Sequence, residues 1–173
     1  MSAKNSFLSG QDLLNTLSLN EIRTFRNLII KKVLTFDDID REKIRNEYAV
    51  HSHVYDHHDT LTSEPFHPEE DGEYTYLAQM KIEGRPWKSG DDLWSLAESL
   101  AKLHRVGIVH NDLSSDNVFV TPSGSVVFLD WGEAYFSSSP TLLMETRLVE
   151  GNEPILEHDL GTLQNMYNYF RNA

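Results

Sequence analysis

The sequence predicts an α+β fold in which strand-rich and helical segments are largely separated along the chain. β-branched and aromatic residues concentrate at 26–35 and 75–82, as is typical of strands. Apolar residues at intervals of three and four predict a helix at 91–107 and another near the C-terminus. With 173 residues, of which 39% are hydrophobic, the chain can bury a core as one globular unit that contains two lobes.

The first half begins with the strand at 26–35, and a helix is predicted to follow over 37–58. Asp37 or Asp38 can cap the N-terminus of this helix, since a short carboxylate side chain accepts hydrogen bonds from the first free N–H groups. The buried face is predicted from a partial apolar stripe, which comprises Ile39, Ile44, Tyr48 and His51.

Between this helix and the strand at 75–82 lies the segment TSEPFHPEEDGE, residues 62–73. It is rich in proline, glycine and acidic residues, and we expect a surface loop. The following strand ends at the breakers Gly84 and Pro86.

The second half begins with the helix at 91–107, which Gly107 is placed to end. A hairpin follows, in which VFV and SVVFL are the strands and TPSG, residues 121–124, is the turn. The chain closes with a helix whose apolar positions are Leu160, Leu163, Met166, Tyr167 and Phe170.

Composition narrows the chemistry. The chain has no cysteine, which excludes disulfides, thiolate metal sites and a thiol nucleophile. The formal net charge of −12 disfavours nucleic acid as a partner and suits a basic partner or a metal–phosphate complex. We expect no membrane association, since no apolar run approaches the roughly 20 residues of a membrane span, and a cytoplasmic location, since no signal peptide is evident.

Residues 110–134, HNDLSSDNVFVTPSGSVVFLDWGEA, carry the strongest functional pattern. Asp112 follows His110 by two residues, and Asn117 follows Asp112 by five. The hairpin brings Asn117 and Asp130 to the same end of its two strands, where an amide oxygen and a carboxylate could share a hard cation. The alternative is that these side chains only form turn hydrogen bonds.

These spacings resemble the protein-kinase-like superfamily, whose catalytic loop reads H-x-D-L-x-x-x-N and precedes a hairpin ending in D-F-G. The chain has H-N-D-L-S-S-D-N and D-W-G. The resemblance implies that Asp112 is the catalytic base and that Asn117 and Asp130 hold Mg²⁺ or Mn²⁺, with ATP as co-substrate. It further implies that His110 anchors the loop.

Upstream, LIIKK resembles the family's strand whose lysine reaches the nucleotide phosphates. The resemblance implies Lys31 in this role, with Lys32 as the competitor, and Glu47 as the glutamate that pairs with the lysine. A solvated lysine pair and a surface glutamate are the alternatives. Two further regions are expected to bind the nucleotide: the single glycine before Lys31, which is Gly10, and the backbone near 80–82, represented by Met80 and Ile82.

Departures from the protein-kinase pattern point to small atypical members of the superfamily. Ser114 stands where protein kinases carry lysine, Trp131 replaces the phenylalanine of D-F-G, and no A-P-E motif follows. These features resemble RIO-like and aminoglycoside-phosphotransferase-like kinases. Asp159 lies where the family has an aspartate that braces the catalytic loop. Little chain follows it, so Tyr167, Tyr169 and Phe170 either form an exposed partner surface or pack inside.

The resemblance therefore implies a two-lobed kinase-like fold with a small β-rich N-lobe at 1–83 and a truncated helical C-lobe at 84–173. The expected function is that of an ATP-dependent Ser/Thr protein kinase with a protein substrate. A small-molecule kinase, a pseudokinase or adaptor, and an ATPase are the alternatives. A separate histidine pair, His53 and His57, has the four-residue spacing of zinc ligands, although a solvated helix end accounts for it as well.

Overall fold

The computed structural model describes residues 22–25, 27–88, 90–145 and 160–173, and these form an α+β structure. Gly10 and Asp159 lie outside the described residues. The elements are, in chain order, β1 (Ile22–Phe25), β2 (Leu28–Leu34), α1 (Asp38–His57), β3 (Pro65–Asp71), β4 (Tyr74–Met80), β5 (Arg85–Pro86), α2 (Leu93–Arg105), β6 (Ile108–Val109), β7 (Val118–Val120), β8 (Val126–Phe128), β9 (Tyr135–Phe136), a 3₁₀ turn (Leu142–Met144) and α3 (Leu160–Asn172).

The first part of the structure is a four-stranded antiparallel sheet in the order β1-β2-β4-β3, with α1 packed against β3 and β4. The pairing of β2 with β4 sets Lys31 opposite Leu77 and Lys32 opposite Tyr76. Both strands predicted here are confirmed with slightly shifted ends. Because successive side chains of a strand point to opposite faces, this register decides which lysine can reach the helix side.

The prediction of a surface loop over 62–73 is wrong, because Pro65–Asp71 forms the edge strand β3. β3 pairs with β4, and the register shifts between Phe66 and Glu69. Proline is tolerated on an edge strand, where the missing N–H can face solvent, and the irregular pairing accommodates it. The proline and acidic residues therefore describe an exposed sheet edge.

Helix α1 begins where its cap predicts. The side chain of Asp37 accepts hydrogen bonds from the N–H groups of Ile39 and Asp40. The predicted stripe is wrong at Ile39, which is 68% exposed, while Ile44 and His51 are buried. Ile39 precedes Ile44 by five residues, which turns it about 140° away from the buried face of an α-helix.

The second part contains α2, α3 and the β7–β8 hairpin, and it holds most of the core. Asp92 caps α2, and the predicted hairpin turn is confirmed, since the N–H of Gly124 donates to the carbonyl of Thr121. The C-terminal helix packs on α2 and buries Leu163 and Tyr167. Within the described residues, we find no helix with the length and apolar character needed to cross a bilayer.

Candidate active site

A cavity of about 310 Å³ lies between the four-stranded sheet, α1 and the β7–β8 hairpin. Its walls combine apolar side chains from the strands with charged and polar groups that come from distant parts of the sequence. The polar and charged side chains lining it are Lys31, Glu47, Tyr48, His51, Gln79, Asp116, Asn117 and Asp130. Four residues that were predicted from the sequence as site residues therefore line one cavity, namely Lys31, Glu47, Asn117 and Asp130.

Lys31 lies at the centre of the charges. Its Nζ is 3.4 Å from Oε1 of Glu47 and 3.5 Å from Oδ1 of Asp130. Burial alone would lower the pKa of Lys31, but the two carboxylates outweigh it and the pKa is raised. Burial raises the pKa of Glu47, and Lys31 offsets this effect only in part. Lys31 is thus a charged hydrogen-bond donor at the wall of the cavity.

The choice between the two lysines follows from strand alternation. Lys32 points to the other face of β2, where its Nζ lies 4.0 Å from the centre of the Tyr74 ring and 5.8 Å from that of Tyr76. This is the geometry of a cation–π contact. Of the pair, Lys31 is thus the lysine that lines the cavity.

The loop that follows β6 presents Asp112 beside Asn117. The side-chain amide of Asn117 donates to the carbonyl oxygen of Asp112 at 2.9 Å and to its Oδ2 at 3.0 Å. The imidazole of His110 is buried and lies 2.9 Å from the carbonyl oxygen of Leu129, to which Nε2–H can donate. Burial lowers the pKa of His110, so a neutral ring ties the loop to the hairpin.

Asp130 ends the hairpin in an unusual backbone conformation. Its φ of 57° is left-handed, which aspartate tolerates better than most residues because its short side chain bonds locally. A Cβ on Gly132 would lie 3.3 Å from Oδ1 of Asp130 and 3.6 Å from Oε2 of Glu47. The glycine therefore lets the backbone pass close to both carboxylates. Trp131 is buried, and its indole N–H donates to Thr62 at 3.2 Å.

The residues present fit a hard divalent cation. The NH₂ group of Asn117 is used toward Asp112, which leaves its amide oxygen as an acceptor. Asp130 is 45% exposed and lines the same cavity. No group of three or more acidic or histidine residues suited to a metal ion occurs in the described part of the chain. Two protein oxygens complemented by phosphate oxygens are the arrangement that Mg²⁺ commonly takes with nucleotides.

A second cavity of about 450 Å³ adjoins the first and shares Ile29 and Leu129 with it. It is lined by Ile82 and its neighbours 81, 83 and 84, and by Phe119. The N–H of Met80 donates to the carbonyl of Glu64 at 2.9 Å, so that donor is already used within the structure. Of the two backbone positions predicted to contact a base, Ile82 is the one that lines this cavity.

The structure also describes residues that the sequence grouped with a separate site or a surface. The rings of His53 and His57 lie side by side with their centroids 4.2 Å apart, and each ring can donate to a backbone carbonyl, His57 to that of His53 and His53 to that of Val106. Tyr167 is buried, whereas Tyr169 is 62% exposed. Asp116 was missed as a cavity residue although it lies beside Asn117 in the motif, and only the folded loop reveals its direction.

The cavity thus brings a lysine ammonium together with carboxylate and amide groups, between a sheet and a hairpin. Comparison with protein-family models and with curated proteins finds no match to this chain.

Proposed function

We propose that this protein is an ATP-dependent phosphotransferase with a minimal two-lobed kinase-like fold, divided near residues 83 and 84. The observation that carries the proposal is the convergence on one cavity of Lys31, Glu47, Asn117 and Asp130. Lys31 lies on a strand and Glu47 on a helix. Asn117 precedes the first strand of the hairpin and Asp130 follows the second, so both lie at its open end. Phosphoryl transfer needs mainly positioning and charge stabilisation, and such a cluster supplies both.

The nucleotide would occupy the two adjoining cavities. The base would lie against Ile82 and Phe119, and the phosphates would reach Lys31. Asn117 and Asp130 would hold Mg²⁺ or Mn²⁺, which when bound neutralises phosphate charge. Glu47 would keep Lys31 directed into the cavity, because the two side chains form an ion pair.

Asp112 would orient the acceptor hydroxyl and accept its proton as the oxygen attacks the γ-phosphorus of ATP, whose bond to the β,γ-bridging oxygen breaks to release ADP. The Oδ2 of Asp112 accepts a hydrogen bond from the amide of Asn117, so the proposed base and a proposed metal ligand are in direct contact. General base assistance of this kind contributes about 10²- to 10⁴-fold to a rate. The neutral, buried His110 has a separate task, since it anchors the loop to Leu129.

A Ser or Thr hydroxyl of a protein is the acceptor we favour. The chain carries 27 acidic and 15 basic residues outside histidine, and such a surface attracts basic partners. We place the proposed reaction in the cytoplasm, and a chain without cysteine, which forms no disulfide, is compatible with that compartment. A small hydroxylated molecule is the alternative acceptor.

The first prediction tests this function with labelled ATP and Mg²⁺, with a generic basic protein as acceptor. We expect wild type to bind Mg-ATP and transfer label. Asp112→Asn should reduce transfer by about 10²-fold or more while nucleotide affinity is kept, because it removes a base and not a phosphate contact. Asp130→Asn should weaken Mg-dependent nucleotide binding. Asp71→Asn, an exposed carboxylate on β3, is the matched control.

Three outcomes would count against the proposal in different ways. Wild type that binds no Mg-ATP would exclude a nucleotide site. Binding without transfer or phosphate release would favour a pseudokinase. Release of inorganic phosphate without transfer to any protein or small acceptor would favour an ATPase.

A further inference from the structure

Glu145 is a buried carboxylate that contacts the loop carrying Asp112. It directly follows the 3₁₀ turn and is 2% exposed. Its Oε1 accepts the backbone N–H of His110 at 2.9 Å, and its Oε2 accepts that of Asn111 at 2.7 Å. Hydrogen bonds to a carboxylate are stronger than those between neutral groups, so one side chain secures two consecutive peptide groups.

A chain of buried side chains supports this carboxylate from behind. Nε2 of His104 on α2 lies 2.9 Å from Oε1 of Glu145, and Nδ1 of the same ring lies 2.7 Å from the hydroxyl of Tyr167 on α3. Burial alone would raise the pKa of Glu145, but the hydrogen bond from His104 and the nearby imidazoles outweigh it and the pKa is lowered. The group is therefore ionised at neutral pH, as an acceptor of three hydrogen bonds must be.

The turn that Glu145 holds, at His110 and Asn111, has an unfavourable backbone conformation. Asn111 has a φ of 64°, in the left-handed region that costs a non-glycine residue about 1 kcal/mol or more. Asp112 is the next residue, so the direction of its side chain depends on this turn. Asp159, which the resemblance to kinases implied as the residue that braces the loop, lies outside the described residues. Within the described residues, Glu145 makes these contacts.

We propose that Glu145 is a positioning residue for phosphoryl transfer: it fixes the His110–Asn111 turn, and His104 and Tyr167 hold it in place from α2 and α3. This inference rests on the proposed function. Displacement of a catalytic group by about 1 Å can cost about 10²-fold in rate, so a loosened turn should reduce transfer without removing any nucleotide contact.

The second prediction is that Glu145→Gln impairs turnover selectively. Glutamine replaces one acceptor oxygen with an NH₂ group, which cannot accept a backbone N–H. We expect kcat to fall about 10- to 100-fold, as for other residues that support a catalytic group, and the Kd of Mg-ATP to stay within about threefold. The amides of His110 and Asn111 should exchange faster with solvent in NMR experiments. Glu98→Gln, a partly exposed carboxylate on α2, is the matched control.

Two more variants separate positioning from a general loss of structure. Glu145→Asp keeps both acceptor oxygens and should retain more activity than Glu145→Gln at the same thermal stability. Tyr167→Phe removes only the hydroxyl at His104, and we expect a smaller drop in kcat, about three- to tenfold, with nucleotide affinity again unchanged. This variant carries the test if Glu145→Gln does not fold.

The outcomes for this inference differ from those for the function itself. An active wild type with an equally active Glu145→Gln variant overturns the positioning role and leaves the phosphotransferase intact. Equal losses in kcat and nucleotide affinity would also overturn it, because they would indicate a general structural role. If wild type binds Mg-ATP but transfers no phosphoryl group, the proposed function is overturned, and the positioning role is overturned with it.

Discussion

At the scale of single residues, the two adjacent lysines show how much one step along a strand matters. Lys31 lies between two carboxylates in the cavity, and Lys32 lies over the rings of Tyr74 and Tyr76. Both are lysines in the same apolar run, so composition cannot tell them apart. The pairing of β2 with β4 gives them different neighbours and therefore different tasks.

The third prediction uses the lysines as each other's control. Under the proposed function, Lys31→Met should reduce phosphoryl transfer by about 10²-fold, because it removes the lysine that is proposed to bind the phosphates and leaves Glu47 without that partner. Lys32→Met should leave transfer unchanged and lower the free energy of unfolding by about 1 kcal/mol or less through the lost ring contact. Transfer assays and urea unfolding of both variants measure this. Equal transfer losses in both variants would contradict the assignment.

At the scale of elements, the hairpin and the helices could be predicted from local patterns in the sequence. The TPSG turn, the Asp37 cap and the three- and four-residue spacing of α2 each involve neighbours within a few residues. β3 was mistaken for a loop because its stability as a strand comes from β4, which supplies the hydrogen-bonding partners. Its own composition is that of an exposed edge, and the local signal for the pairing is Gly72, which has a φ of 63° and begins the two-residue turn between β3 and β4.

The fourth prediction concerns the turn of the hairpin that carries Asn117 and Asp130. Gly124 has a φ of 85°, and no atom lies within 4 Å of the position that a Cβ would take. Gly124→Ala should therefore lower the free energy of unfolding by about 1 kcal/mol or more through backbone strain alone. Gly161→Ala is the matched control. Gly161 belongs to helix α3, and a Cβ there would likewise have no neighbouring atom within 4 Å.

For that control we expect a gain in stability of about 0.5–1 kcal/mol, because alanine favours the helix over glycine. Denaturant unfolding of both variants gives the comparison. A destabilisation of similar size at both positions would show that the left-handed conformation of Gly124 is not the cause.

At the scale of the whole molecule, the core is unevenly distributed. The main cluster joins α2, α3 and the hairpin with Val50 and Val54 of α1, whereas the four-stranded sheet contributes a small cluster around Ile30 and Tyr76. The candidate site lies between these two clusters. Buried polar groups along this boundary, among them His51, link the stability of the fold to solution conditions.

The fifth prediction is that acid destabilises the protein through His51. Its Nε2 lies 2.8 Å from the carbonyl of Ser63, and burial lowers its pKa to about 4. An unfolded histidine has a pKa near 6.5, so between these values the unfolded chain binds one more proton and stability falls as pH falls. The loss from about pH 7 to about pH 4.5 should be about 2–3 kcal/mol, and the lowered pKa of His110 adds to it.

Urea unfolding at both pH values checks this expectation. His51→Gln should remove most of the pH dependence of stability that arises from this residue, since glutamine does not titrate. His57→Gln, at an exposed position, is the control and should keep the wild-type dependence. If the free energy of unfolding changed with pH by the same amount in wild type and in His51→Gln, the assignment to His51 would be contradicted.

The sequence by itself determined the α+β class, helix α1 with its N-terminal cap, helix α2, the hairpin and the order of the motif residues, because these depend on contacts between near neighbours. The tertiary structure decided which lysine faces Glu47, that 65–71 pairs as a strand, and that Glu145 reaches the loop before Asp112. The first and the third of these depend on residues more than 30 positions apart, namely Lys31 with Leu77 across the strands and Glu145 with His110. The second is a pairing between the consecutive strands β3 and β4. Contacts between distant residues are set by the burial of whole elements, and no local pattern encodes them.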